Sequence, residues 1–220
     1  MKTLVLAPHP DDEVLGVGGT LLRRRDQGYS TAWLIVTSMP TEGDWSEDQI
    51  AQRTREIKEI SEMFGFEEVY ELNYATTLLD TIPARQLVQS ISNIFSDYRP
   101  EEIFVPHWGD VHSDHKSVFS AVSSSSKWFR SASIKRIFTY ETPSETNFSL
   151  IPSESFVPIT YIDISQYLEL KVEAMKIYKS EVASHPFPRS EDSIRALATV
   201  RGAEAGVNFA ESFQLVRQIL

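Results

Sequence analysis

The chain has 220 residues, 41% hydrophobic and 24% charged, with a formal net charge of −10 and no cysteine. That length suits one domain, spanning 1–220, with a sizeable core, and the acidic excess argues against a nucleic-acid backbone as partner. The lack of cysteine excludes disulfide scaffolds, thiolate zinc fingers and cysteine nucleophiles, and no apolar run nears the roughly 20 residues of a membrane span.

Residues 3–7 (TLVLA) read as a buried strand, and residues 12–27 as a helix closed by Gly28. A polar cluster follows the first apolar run at once, so no signal peptide is expected, and a cytoplasmic location is. Residues 31–37 (TAWLIVT) form a second buried strand. A polar stretch with Pro40 and Gly43 leads into an amphipathic helix over 47–64. Strands at 68–72, 102–106 and 135–140 alternate with helices at 83–98 and 114–130, the latter weakened by four serines at 123–126. A long loop follows, then a strand (158–164), a helix (166–180), a Pro-rich segment (185–188), a helix (190–205) and a terminal strand (213–216). Short apolar strands alternating with helices predict an α/β three-layer sandwich. Its sheet should be mostly parallel, ordered near 3-2-1-4-5, with a C-terminal extension.

Four of the five histidines stand directly after predicted strands: His9 in HPDDE after the first, and His107, His112 and His115 in HWGDVHSDH after the fourth. In the 3-2-1-4-5 order, winding reverses between these two strands, and ligands of open parallel sheets bind at such a point. Pro10 holds His9 in extended backbone, and Asp11 and Asp12 fall at a helix N-terminus, where negative charge is favoured. Two imidazoles and one carboxylate with an open position are a recurrent catalytic zinc set, which His9, Asp12 and His115 can supply. Asp11 and His112 then flank the open position, Asp11 as a base toward water and His112 as a stabiliser or acid. Asp110 and Asp114 can orient the imidazoles. Gly16, Gly18 and Gly19 lack the spacing of a dinucleotide fingerprint and read as close helix–sheet packing. The basic run 23–25 reads as a solvated helix end.

HPDDE after a first strand, paired with DxHxDH after a fourth, resembles the PIG-L/LmbE-like family of zinc-dependent N-deacetylases. Residues 52–56 resemble its RxxE helix. Segments 140–146, 162–165, 171–180 and 201–213 resemble its carboxyl-terminal half. The resemblance implies a Rossmann-like fold and hydrolysis of N-acetyl groups on amino sugars or their conjugates. It implies zinc on His9, Asp12 and His115, Asp11 as general base, and His112 as oxyanion stabiliser or acid. It also places Arg53 near the substrate. The chain departs from the family at Ser113, where proline is frequent, and at Glu181, where glutamine is common.

His107 and Trp108 are candidates to line the cleft, Trp45 to stack on a sugar, and Glu141 to contact substrate from the end of the fifth strand. His185 reads as a loop residue, and Glu211 as either a buried acid or a cleft residue. The expected partner is a small N-acetylated sugar; a homo-oligomer is allowed. The rival readings are a zinc deacylase of non-sugar amides, a non-haem iron oxygenase using the same ligand set, and a nucleotide-binding module.

Overall fold

The computed structural model describes residues 1–40 and 45–220; Gly43 of the polar stretch lies outside them. β1 (Lys2–Ala7) is buried from Thr3 onward. Side chains alternate across a strand, so Leu4 and Leu6 enter one core while Val5 and Ala7 enter another. Burial on both faces is why this strand is a near-continuous apolar run rather than an alternating one. α1 (Asp12–Asp26) returns the chain to β2 (Ser30–Ser38). α2 (Glu47–Phe64) starts at a Ser46–Gln49 capping box and ends at Gly65, whose φ of 65° suits glycine. β3 (Glu68–Ala75), α3 (Ala84–Tyr98), β4 (Glu102–Pro106), α4 (Ser113–Ser125) and β5 (Arg136–Tyr140) follow. The last elements are β6 (Thr160–Asp163), α5 (Leu168–Ile177), α6 (Glu191–Ala205) and β7 (Ala210–Gln218).

The seven strands form one sheet in the order β3-β2-β1-β4-β5-β7-β6. The expected 3-2-1-4-5 core is present and all its pairs are parallel. The C-terminal extension continues this sheet. β7 inserts antiparallel between β5 and β6 and runs from Ala210, three residues before the expected start. The face bearing Val5 and Ala7 packs against α1, α2, α5 and α6, while α3 and α4 cover the other. Each fully buried aliphatic side chain contributes roughly 1.5–3 kcal/mol relative to exposure, so these two cores hold the strand ends in fixed relation.

Two elements end sooner than expected. α4 stops at Ser125, not near 130; the Ser125 hydroxyl donates to the Ala121 carbonyl at 2.8 Å, a bond that weakens a helix. α5 is likewise shorter at both ends than residues 166–180. All three glycines of GVGGT lie inside α1. A methyl group at Gly16 would overlap the Tyr140 ring, and one at Gly19 would overlap Ile164. Their role is close packing, and the nucleotide loop is absent because no turn exists there.

Candidate active site

β1 and β4 are neighbours, so the loops leaving their carboxyl ends meet above the sheet. Asp12 Oδ2 lies 3.4 Å from His9 Nδ1 and 3.3 Å from His115 Nε2. Tetrahedral ligands at about 2.0–2.1 Å from a zinc ion stand roughly 3.3 Å apart, so these spacings fit a common centre. The remaining nitrogen of each imidazole meets a buried carboxylate. His9 Nε2 is 3.0 Å from Asp114 Oδ2, and His115 Nδ1 is 2.8 Å from Asp110 Oδ2. Such carboxylates keep a proton on the outer nitrogen and leave the inner lone pair for an ion. Both carboxylates are themselves held: Asp110 accepts from the Thr146 hydroxyl at 2.6 Å, and Asp114 accepts the Thr77 and Leu79 amides at 2.8 and 3.1 Å. The donor set and its support therefore fit a divalent metal. A second group, His9, His112 and Asp114, also comes together, but it shares His9 and uses the carboxylate that orients it.

Electrostatics follow from burial and pairing. Burial alone would lower the His9 pKa, but hydrogen bonds to Asp114 and Asp12 raise it to about 9. Burial likewise opposes charge on His115, yet Asp12 and Asp110 hold it well above an ordinary imidazole. Burial would raise Asp12, but the adjacent His115 and His9 keep it far below the usual carboxylate range.

Asp11 stands apart from this donor group. It precedes α1 with φ 137°, a strained conformation for a residue with a side chain, and its carboxylate does not cap the helix. That carboxylate is instead 2.9 Å from Arg189 Nη1. Burial pushes Asp11 up to about 7, the charges of Asp12 and Glu181 add to this, and Arg189 partly offsets it. His112 is the N-cap of α4, its Nδ1 accepting the Asp114 amide at 3.1 Å. That bond assigns the remaining proton to Nε2. Burial, reinforced by His9 and His115, pushes His112 down to about 4, so it is a neutral N–H donor near pH 7.

A cavity of about 510 Å³ opens over these groups. Asp11, Asp12, His9, His112 and His115 line it, as do Arg53 and Trp45. Arg53 is both a cavity residue and a buried ion-pair partner: Nε donates to Glu56 at 3.0 Å, Nη1 to the Pro10 carbonyl at 2.9 Å, and Nη2 to Glu181. α2 positions it, since Arg53, Glu56, Ile60 and Phe64 share the buried face of that helix.

Three expected substrate contacts do not line this cavity. His107 is fully buried and pairs through Nε2 with the Glu154 carbonyl at 2.7 Å. Trp108 packs on Phe119 and His107. Glu141 is held by Nε and Nη2 of Arg201, at 2.8 and 2.7 Å. Of the undecided residues, Glu211 is buried. It accepts the Gly19 and Thr20 amides of α1 at 2.9 and 2.7 Å and pairs with Lys171 at 2.6 Å. His185 is exposed. Sequence reasoning missed Arg189 and Glu145. Arg189 follows a Pro-rich segment with no local sign of its contact to Asp11, 178 residues away.

The model of the family described as "PIG-L: GlcNAc-PI de-N-acetylase" matches residues 4–126, which include both histidine motifs. The chain is similar to the diacetylchitobiose deacetylase of Thermococcus kodakarensis, 26% identical over 227 residues covering 98% of this chain and 83% of that protein. Among solved structures it is similar to the conserved protein TT1542 of Thermus thermophilus (TM-score 0.79, 25% identity, 99% of this chain and 96% of that one). The N,N'-diacetylchitobiose deacetylase of Pyrococcus horikoshii shares the fold (TM-score 0.76, 24% identity, 98% and 84%).

Proposed function

This chain belongs to the PIG-L family and is a deacetylase, and from that premise we propose that it removes the N-acetyl group of an amino sugar or its conjugate with a zinc ion held by His9, Asp12 and His115. The observation that carries the reading is the position of Asp12 Oδ2, between two imidazole nitrogens whose opposite sides rest on Asp114 and Asp110. When bound, such an ion polarises a carbonyl and acidifies water.

The residues divide the rest of the work. Asp11 lines the cavity but is not needed as a ligand, so it is free to take a proton from the attacking water. Arg189 holds its carboxylate in place. His112 presents Nε2–H, which donates to the carbonyl oxygen as negative charge develops there. Asp11, once protonated, is placed to return that proton to the departing amine. Acetate and a free amino sugar result. Two carboxylate-backed imidazoles and a separate base suit hydrolysis, whereas an oxygenase has no use for the extra acid.

The test is acetate release from a panel of N-acetylated amino sugars and N-acetyl amino acids, with metal-stripped and zinc-restored protein. Zinc-dependent release from the sugars is expected. Release only from the amino acids would replace the sugar reading, and equal rates without metal would remove the zinc.

A further inference from the structure

The cavity is larger and more acidic than the acetamide chemistry requires. Beyond the catalytic groups, its wall carries the exposed Glu71 and Asn73 from the middle and later part of β3, Glu145 from the loop after β5, and Trp45 just before α2. Five acids face it in total (Asp11, Asp12, Glu71, Glu145 and Glu181) against two arginines among the described residues, Arg53 and Arg189. Both guanidinium groups are already matched. Arg53 is bound by Glu56 and Glu181, and Arg189 by Asp11 and Glu181. Glu71 and Glu145 belong to no ion pair among the described residues. A divalent ion would offset two negative charges and displace the protons of His9 and His115, so the lining as a whole keeps a single negative charge and the unpaired Glu71 and Glu145 place it on the outer wall.

We infer that Glu71 is a specificity-determining residue, and that the outer cavity accepts a neutral or amine-bearing sugar as the group attached to the N-acetylated unit and rejects a carboxylate- or phosphate-bearing one. This rests on the deacetylase reading above and narrows its substrate. Away from the metal ligands, an anion placed there meets Glu71 with no unpaired side-chain cation among the described residues to receive it, and like charges across a binding site are unfavourable. A sugar ring instead finds what it needs. Trp45 is 37% exposed and offers an aromatic face, while Asn73 and Glu71 offer an amide and a carboxylate to hydroxyl or ammonium groups. The volume of about 510 Å³ lies within the range of pockets that enclose ligands larger than one sugar ring.

The experiment uses three disaccharides in which N-acetylglucosamine is linked to glucose, glucosamine or glucuronic acid. At low salt, kcat/KM for the glucuronic acid compound should fall at least about tenfold below the glucose compound, chiefly through KM. The glucosamine compound should match or exceed it. Raising salt to about 0.5 M should shrink the gap, and Glu71→Gln should narrow it several-fold. Calorimetric binding of the three deacetylated disaccharides supplies an arm independent of turnover. Equal turnover of the glucose and glucuronic acid compounds would overturn the inference and leave the deacetylase intact. So would a gap unmoved by Glu71→Gln. No acetate from any compound, with the binding order retained, would overturn the deacetylase reading and leave the charge selectivity standing.

Discussion

Asp114 Oδ2 lies 3.0 Å from His9 Nε2, joining the ends of two strands across 105 residues of chain. The same oxygen accepts the Thr77 amide at 2.8 Å, so the carboxylate is fixed before it meets the imidazole. Asp114→Asn keeps the shape but loses the charge that holds the proton on Nε2. Zinc affinity should fall by about 10–100-fold, read by competition with a chromophoric chelator. An unchanged affinity would show that Asp114 does not orient His9.

Asp11→Asn should retain zinc at full stoichiometry and lose about 10²–10⁴-fold in kcat. Metal analysis beside acetate release separates the base from a ligand. Full activity in this variant would end the base assignment.

Zinc binding should expel protons. Hydrogen bonds and charge from Asp114, Asp12 and Asp110 hold His9 at about 9 and His115 well above its ordinary value, so both are protonated near pH 7 in the metal-free chain. An ion needs them neutral, so about two protons should leave per zinc, and affinity should weaken as pH falls. Calorimetry in buffers of different ionisation enthalpy measures that number. A heat independent of buffer would contradict the pairing.

Glu13 is fully buried, accepts the Tyr178 hydroxyl at 2.7 Å, and is pushed up to about 8 by burial. The folded chain therefore holds this proton more tightly than the unfolded one between about pH 4.5 and 8. Its contribution to stability is present below that window and is lost as pH rises through it. Glu13→Gln should flatten the fall in urea-unfolding free energy across this range.

Lys171 Nζ reaches both Glu211 and the Leu15 carbonyl, within 2.8 Å of each, in a buried position. Lys171→Met leaves Glu211 charged and buried, and should cost about 3–5 kcal/mol of stability. Activity per folded molecule should be little changed, because the pair lies outside the cavity.

Much of the site was legible because its residues carry local signals. His9, Asp11 and Asp12 sit where an apolar run stops, and His112 and His115 sit three apart at a helix start. His107 stood beside the same motif, yet its side chain turns inward to the Glu154 carbonyl. Glu141 looked free at a strand end, yet Arg201 on α6 takes it. Arg189 had no local signal at all. Its meaning comes from Asp11 and Glu181, and neither is near it in a motif.

The kinds of element, their order, and two clusters of histidines and acids at the ends of β1 and β4 were written in the sequence, since apolar periodicity and polar strand ends are properties of neighbouring residues. Folding settled which strand-end groups face the cavity, that β7 inserts between β5 and β6, and that Arg53 and Arg189 are already matched by acids. A side chain's availability depends on the partner it meets, and those partners are brought in by folding from far along the chain.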